Sequence, residues 1–352
     1  MPFQLLDQEG MVHGMNVMSE ELVTDALRLM LMSRALDERL TKLQRMGRVG
    51  LYGPVHGQEA AVVGSAMALD PQRDWIVPAS REQPAMLRHG LPLVNIFATY
   101  MGRIEDAVIP RGVNLLPRQQ AIGAQIPHAV GLAWALKLRR IEGVVMVYFG
   151  EGASSEGDFH EASNLAGVLH VPLIFVLINN HYAISTPIHK QTAAPSLAVR
   201  AEGYGFPGIA VDGNDLLAVY AASTEAVQRA LAGGGPTLIE CITYRVGFHN
   251  TSDNPKEYRD DTEVNAAIER DPIERVRRFA TRVGWWTGQR EAEIVAHIRS
   301  EIDDAQASVE QLPRPGAAAI FDHVYESPPP RLLQQRAEIL GLDGSPKETS
   351  VS

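Results

Sequence analysis

A glutamate framed by glycines, Gly150-Glu151-Gly152, is followed 29 positions later by Asn180, the second of two adjacent asparagines. Both groups close short apolar runs. Val144-Val145-Met146-Val147-Tyr148-Phe149 precedes the first and Pro172-Leu173-Ile174-Phe175-Val176-Leu177-Ile178 the second, each rich enough in β-branched and aromatic residues to read as a strand. A carboxylate and a carboxamide at neighbouring strand ends can share a hard divalent cation. Magnesium takes near-octahedral oxygen ligands, with only one or two protein carboxylates and phosphate oxygens among them. Glu151 would give a charged oxygen, Asn180 a neutral one, and the backbone carbonyl of Tyr182 a third. Gly150 and Gly152 permit tight geometry, and the amides of Gly152 and Ala153 near the next helix start suit an anion. The implied chemistry is a metal-bound diphosphate. Either fragment alone reads as a turn or a strand terminator; together, at this spacing, they favour a site. A nicotinamide fingerprint fits poorly, because Ser155 stands where its third glycine belongs.

Those loop tips need a sheet behind them. Between the two runs, Glu156 to His170 carries Phe159, Ala162, Leu165, Ala166 and Leu169 at helical spacing. Strand, helix and strand of this length form a βαβ unit with a right-handed crossover, and ligands of such sheets bind beyond the carboxyl ends of the strands. Ser19 is placed to cap a helix running to about Met46, with Leu22, Ala26, Leu29, Met30, Leu36, Leu40 and Leu43 as its apolar stripe. Gly57 to Leu69 reads as a second helix and Gln125 to Arg140 as a third. The small residues Ala129, Gly131, Ala133 and Ala135 of the third fit packing on its own sheet or on another subunit equally well. Ala232-Gly233-Gly234-Gly235-Pro236 is a turn before the strand Thr237 to Thr243. Gly247 to Asp261 is polar and aperiodic, the pattern of a functional loop. Asp271 to Ala307 returns to helical spacing. The fold class is α/β, a mostly parallel sheet flanked by helices, with helical extensions at both ends. Its expected divisions are an N-terminal arm and helix (1–45), the main α/β domain (46–310) and a C-terminal extension (311–352) whose last residues fray.

Composition removes several classes. The 352 residues are 45% hydrophobic, and 32 Lys plus Arg against 42 Asp plus Glu give a formal net charge of −10. That balance opposes nucleic-acid binding, which shows basic patches or stripes. Cys241 is the single cysteine, so no internal disulfide forms and a reducing cytoplasm is the expected compartment. Met1 to Gly14 has neither a secretory nor an Arg-rich transit pattern, and no run reaches the roughly 18 apolar residues a membrane span needs.

Gly150-Glu151-Gly152-Ala153-Ser154-Ser155-Glu156-Gly157-Asp158, with Asn179-Asn180-His181-Tyr182-Ala183-Ile184-Ser185-Thr186-Pro187, resembles the thiamine diphosphate motif of 2-oxo acid dehydrogenase alpha subunits. Glu in place of the commoner Asp is most similar to the branched-chain type. Val211 to Asp215, Thr243 to Gly247, His249 to Asp253, Tyr258-Arg259 and Leu43-Gln44-Arg45 extend the likeness over about residues 20 to 340. The resemblance implies a thiamine diphosphate-binding fold, with Glu151, Asn180 and the Tyr182 carbonyl on magnesium. Gly150, Gly152, Ala153, Ala183 and Ile184 would line the diphosphate and neighbouring cofactor. Arg81 matches a diphosphate arginine making bidentate contact; Ile122 matches the apolar brace of the bent cofactor, a position that otherwise reads as a core isoleucine. His249 matches the loop histidine beside the reacting centre, in a loop ordered by Arg245, Asp253, Tyr258 and Arg259.

By the same resemblance, the chain pairs with a beta subunit in an alpha-two beta-two heterotetramer. It decarboxylates a branched-chain 2-oxo acid such as 3-methyl-2-oxobutanoate, and the acyl group passes to a lipoyl arm of an acyltransferase. Departures qualify the substrate. Ile178 stands where members nearest the mammalian form carry arginine, Ala79-Ser80 where they have Gln-Tyr, and the Met-Pro-x-His segment is missing between Gly102 and Gln120. Asn250 replaces a serine phosphorylated in some relatives, so no kinase control is expected there. The alternatives are a pyruvate or acetoin dehydrogenase alpha subunit and, more distantly, a non-catalytic nucleotide-binding module.

Overall fold

The computed structural model describes residues 1–103, 106–322 and 324–342; the last residues of the tail, expected to fray, lie outside them. The chain runs through α1 (Glu20–Arg45), α2 (Glu59–Ala66), β1 (Trp75–Val77), α3 (Gln83–Arg88), α4 (Leu93–Tyr100), α5 (Gln125–Arg139), β2 (Val145–Gly150), α6 (Gly157–Leu169) and β3 (Leu173–Asn179). A hairpin of β4 (Tyr182–Ala183) and β5 (Thr186–Pro187) follows, then β6 (Gly208–Asp212), α7 (Leu216–Leu231) and β7 (Thr237–Ile242). It closes with α8 (Asp261–Ile268), α9 (Pro272–Arg282), α10 (Gly288–Glu310), α11 (Ala319–Asp322) and α12 (Pro330–Leu340).

Five strands make one wholly parallel sheet in the order β1-β2-β3-β7-β6. Such a sheet is covered on both faces, and the alternation of side chains sorts its core. Val145, Val147, Phe149, Leu173, Phe175 and Leu177 face α5 and α6. Met146, Tyr148, Ile174, Val176 and Ile178 face the layer that includes α1, α2 and α7. The chain steps from β1 to β3 in one direction, jumps to β6 at the edge, and returns to insert β7. Right-handed crossovers therefore put α6 and α7 on opposite faces. Register matters most at the carboxyl edge. Gly150 pairs with Ile178 and Asn179 with Ile242, so the loops carrying Glu151 and Asn180 leave adjacent strands at nearly the same level.

Local signals explain most boundaries. Ser19 Oγ accepts from the Leu22 amide, Glu20 and Glu21 open α1, and Lys42 and Arg45 close it, in line with its dipole. All eight residues of α2 are buried. On α5 the small residues divide: Ala129 and Ala133 face the sheet, while Gly131 and Ala135 share an exposed face with Trp134 and Leu138. The helical spacing over 271–307 is carried by two helices, α9 and α10. Gly284 adopts φ +81° just past the end of α9, and Thr287 caps α10 by accepting from the Arg290 amide. The N-terminal arm is held at the sheet edge, where Phe3 bridges Val211 and Asp215 accepts from the Leu5 and Leu6 amides. Among the described residues no helix is long and apolar enough to cross a membrane.

Candidate active site

Glu151 leaves β2 and is 2% exposed. One carboxylate oxygen accepts from the Asn180 amide at 3.3 Å; the other, Oε1, is buried without a partner. Burial holds this carboxyl above its usual range, partly offset by backbone N–H donors, including that of Asn180, and by the charges of Arg245 and Arg81. The two loops are in contact. A Cβ placed on Gly152 would lie 2.9 Å from the Ala183 Cβ, so a side chain there would push the loops apart.

The two asparagines divide their labour. Asn179 Nδ2 donates to the buried Glu240 at 2.7 Å, and its Oδ1 accepts from the His181 amide at 3.1 Å. It anchors the loop. Asn180, 8% exposed, donates from Nδ2 to Gln58 Oε1 at 3.1 Å, and its Oδ1 accepts from the Tyr182 amide at 3.2 Å. Tyr182 is fixed in turn by its hydroxyl, which donates to Glu263 at 2.8 Å. At the hairpin tip Ile184 has φ +57°, a left-handed conformation rare for a β-branched residue and typical of strain held at functional sites.

A cationic group faces this acidic one. Arg81 Nη1 donates to the Pro54 carbonyl at 2.5 Å, and Nη2 to the His249 carbonyl at 2.6 Å. The pair of nitrogens expected to grip a diphosphate is thus committed to the protein here, leaving Nε and the second Nη1 hydrogen. Gly53 lies over the contact: a Cβ there would meet Arg81 Nη1 at 3.0 Å and the His249 carbonyl at 3.2 Å. Burial, then Arg81 and Arg245, push the His249 imidazole down to about 4. Arg245 is 0% exposed; its Nη2 donates to the Ile184 carbonyl at 2.6 Å and to the Tyr258 hydroxyl at 3.1 Å. Its Nε and Nη1 have no hydrogen-bond partner among the described residues. The expected ordering of the 249–259 loop is present. Tyr258 donates to Asp253 at 2.6 Å, Asp253 accepts from the His249 amide at 2.6 Å, and Arg259 donates to the Val246 and Gly247 carbonyls at 2.7 and 2.5 Å.

Among the buried atoms without a hydrogen-bond partner here are a carboxylate oxygen on Glu151 and the Nε and Nη1 of Arg245, the latter 3.9 Å from an Asp253 oxygen. A divalent cation answers the first and an anion the second, and a magnesium diphosphate brings both together. Among the described residues no cluster of three or more His, Cys, Asp or Glu offers another metal centre. Ile122 is not in the core. It is 63% exposed; Ile184, whose carbonyl meets Arg245, is 54% exposed.

The sequence reading missed Gln58. It is 1% exposed and touches Asn180 across 122 positions of chain. The available signal was a polar Gln58-Glu59 pair opening a helix whose next residues are Ala60, Ala61, Val62 and Val63.

A doubly covered parallel sheet whose carboxyl edge gathers Glu151, Asn180, Arg81 and Arg245 is the setting in which α/β folds bind their ligands. Residues 27–318 match the family described as Dehydrogenase E1 component. The chain belongs to that family, the thiamine diphosphate-dependent alpha subunits of 2-oxo acid dehydrogenases. It is 41% identical over 341 residues to the pyruvate dehydrogenase E1 component subunit alpha of Staphylococcus epidermidis, covering 94% of this chain and 90% of that one. The subunit of the same name from Staphylococcus aureus matches with equal identity and coverage. These names correspond to the pyruvate alternative rather than to the branched-chain expectation.

Proposed function

We propose that this chain is the alpha subunit of a pyruvate dehydrogenase, holding magnesium and the diphosphate end of thiamine diphosphate. The observation that carries the reading is the buried, unpartnered Glu151 oxygen beside Asn180. Glu151, Asn180 and the Tyr182 carbonyl would hold the metal. Gly150, Gly152, Ala153, Ala183 and Ile184 would line the diphosphate, Arg81 and Arg245 would oppose its charge, and Ile122 would meet the apolar part. When bound, the cofactor supplies the nucleophilic carbon and the electron sink for decarboxylation. His249 Nδ1 faces the Arg81 donor at 3.1 Å, so the neutral ring keeps its proton on Nε2, available to a substrate carboxylate or a phosphate.

Pyruvate is preferred because of the relatives' names; Ile178 and Ala79-Ser80 depart from the members nearest the mammalian form. Glu151 itself, where Asp is commoner, is the one feature favouring a branched-chain acid. Among the described residues none is a candidate for activating the aminopyrimidine. That group is assigned to a beta subunit, with the acyl product passed to a lipoyl acyltransferase. Steady-state kcat/KM of the chain co-expressed with its beta subunit, with pyruvate, acetoin and 3-methyl-2-oxobutanoate, tests the reading. Pyruvate is expected to lead, and the isolated chain to be inactive. A lead for the branched acid would overturn the substrate, and appreciable turnover by the isolated chain would overturn the shared site.

A further inference from the structure

A carboxamide can serve a metal only through its oxygen, and a half-turn about its last bond would present an NH2 instead. Something must fix which end of Asn180 is which. The Tyr182 amide supports one side, where it donates to Oδ1. On the other side stands Gln58, buried, with its Oε1 accepting from Asn180 Nδ2 at 3.1 Å. Gln58 has its own orientation fixed: its Nε2 donates to the Val55 carbonyl at 3.4 Å, and a carbonyl can only accept. Val55 is fixed in turn, because its amide donates to the buried Asp37 carboxylate at 2.9 Å. From Asp37 through Val55 and Gln58 to Asn180 every link has one allowed polarity. The Gln58 side chain is not used to cap the helix it opens. Gly57 also holds the position, since its φ of +92° and a would-be Cβ 2.2 Å from the Tyr244 carbonyl exclude other residues.

We propose that Gln58 is a positioning residue for the metal: with the Tyr182 amide it sets the Asn180 carboxamide so that the second lone pair of its oxygen is open to the cation. This rests on the magnesium reading above. It extends that reading from the ligands to the group that orients one of them, a layer whose loss commonly weakens metal binding by about 10–100-fold.

The test is the magnesium Kd of the assembled alpha–beta enzyme at saturating thiamine diphosphate, by titration calorimetry, alongside the thermal midpoint of the metal-free protein. Gln58→Leu is expected to raise the Kd by about 10–100-fold. Gln58→Glu, which keeps an acceptor toward Asn180 and, when protonated, a donor toward Val55, is expected to restore most of the loss. The decisive background is Asn180→Asp, whose two ends are both oxygen. There, removing the Gln58 amide should cost far less, because orientation no longer matters. Should Gln58→Leu disturb folding, Gln58→Met removes the same polarity at closer to the same length. An unchanged Kd in Gln58→Leu, or an equal loss in the Asn180→Asp background, overturns the inference. Glu151→Ala distinguishes the two levels: if it too leaves the Kd unchanged, the metal reading itself fails.

Discussion

Arg81 Nη2 donates to two acceptors on one residue, the carbonyl oxygen of His249 at 2.6 Å and its Nδ1 at 3.1 Å. A guanidinium only donates, so Nδ1 must carry the lone pair and the imidazole is neutral, with its hydrogen on Nε2. Burial and two neighbouring arginines agree with that state, pushing the group down to about 4 from an ordinary 6.5.

The first expectation concerns pH. Between about 6.5 and 4 the unfolded chain binds a proton at His249 that the folded chain refuses. Stabilisation from this group is therefore full above pH 6.5 and is lost as pH falls toward 4. His249→Gln, which cannot titrate, should lose less stability between pH 7.5 and pH 4.5 than the parent in urea unfolding. Equal slopes in the two proteins would refute the assignment.

Legibility in the sequence followed burial. Strands β2 and β3 read correctly because their apolar runs are nearly continuous, as in any sheet covered on both faces, and β7 reads correctly although Glu240 interrupts its run, because a Gly-rich turn precedes it. Strand β1 is three residues long, and β6 begins Gly208-Ile209-Ala210 with only Val211 fully buried; neither leaves a pattern to find. The break between α9 and α10 was legible in principle, since Gly284 and Thr287 are ordinary stop and start residues. At the site, Glu151 and Asn180 were visible because each ends a recognisable strand. Gln58 meets Asn180 across 122 positions and Arg81 meets His249 across 168. Contacts of that kind depend on which strand lies beside which, and no local periodicity encodes them.

Glu151 offers a second test, with opposite effects on folding and binding. Its carboxyl is held above the usual range by burial, so its contribution to stability is greatest at low pH and diminishes as pH rises through the folded value. In the metal-free protein at neutral pH, Glu151→Gln should leave the urea midpoint equal or higher. Magnesium affinity at saturating thiamine diphosphate should fall at least about tenfold, the least that losing even a supporting group commonly costs. A variant that is destabilised yet binds normally would remove Glu151 from the metal.

Asp37 and Tyr52 form a buried pair beneath the loop that carries Gln58. The Tyr52 hydroxyl donates to Asp37 at 2.5 Å, and the Val55 and His56 amides donate to the other oxygen at 2.9 and 3.0 Å. Burial still pushes the Asp37 carboxyl up to about 7, with Tyr52 pulling it down. Tyr52→Phe removes a donor that matters most once Asp37 is ionised. The loss should be about 0.5–1.5 kcal/mol at pH 5 and about 1.5–3 kcal/mol at pH 8, the ranges for neutral and charge-assisted hydrogen bonds. Urea unfolding at the two pH values measures the difference, and an equal loss at both would show that Asp37 does not titrate between them.

Ile184 gives the sharpest separation of stability from function. A β-branched residue at φ +57° in the hairpin tip carries strain of about 1–3 kcal/mol, and its side chain, 54% exposed, recovers little by packing within the chain. Glycine removes the strain, at an entropic cost of roughly 0.5–1 kcal/mol in the unfolded state. The Ile184 carbonyl that accepts from Arg245 is backbone and survives the change. Ile184→Gly should therefore unfold at equal or higher urea concentration in the isolated chain. In the assembled enzyme it should bind thiamine diphosphate more weakly, because the apolar surface beside the diphosphate is gone. Lower stability with unchanged binding would mean that Ile184 serves the hairpin alone. Higher stability with weaker binding is what a strained residue kept for its ligand must show.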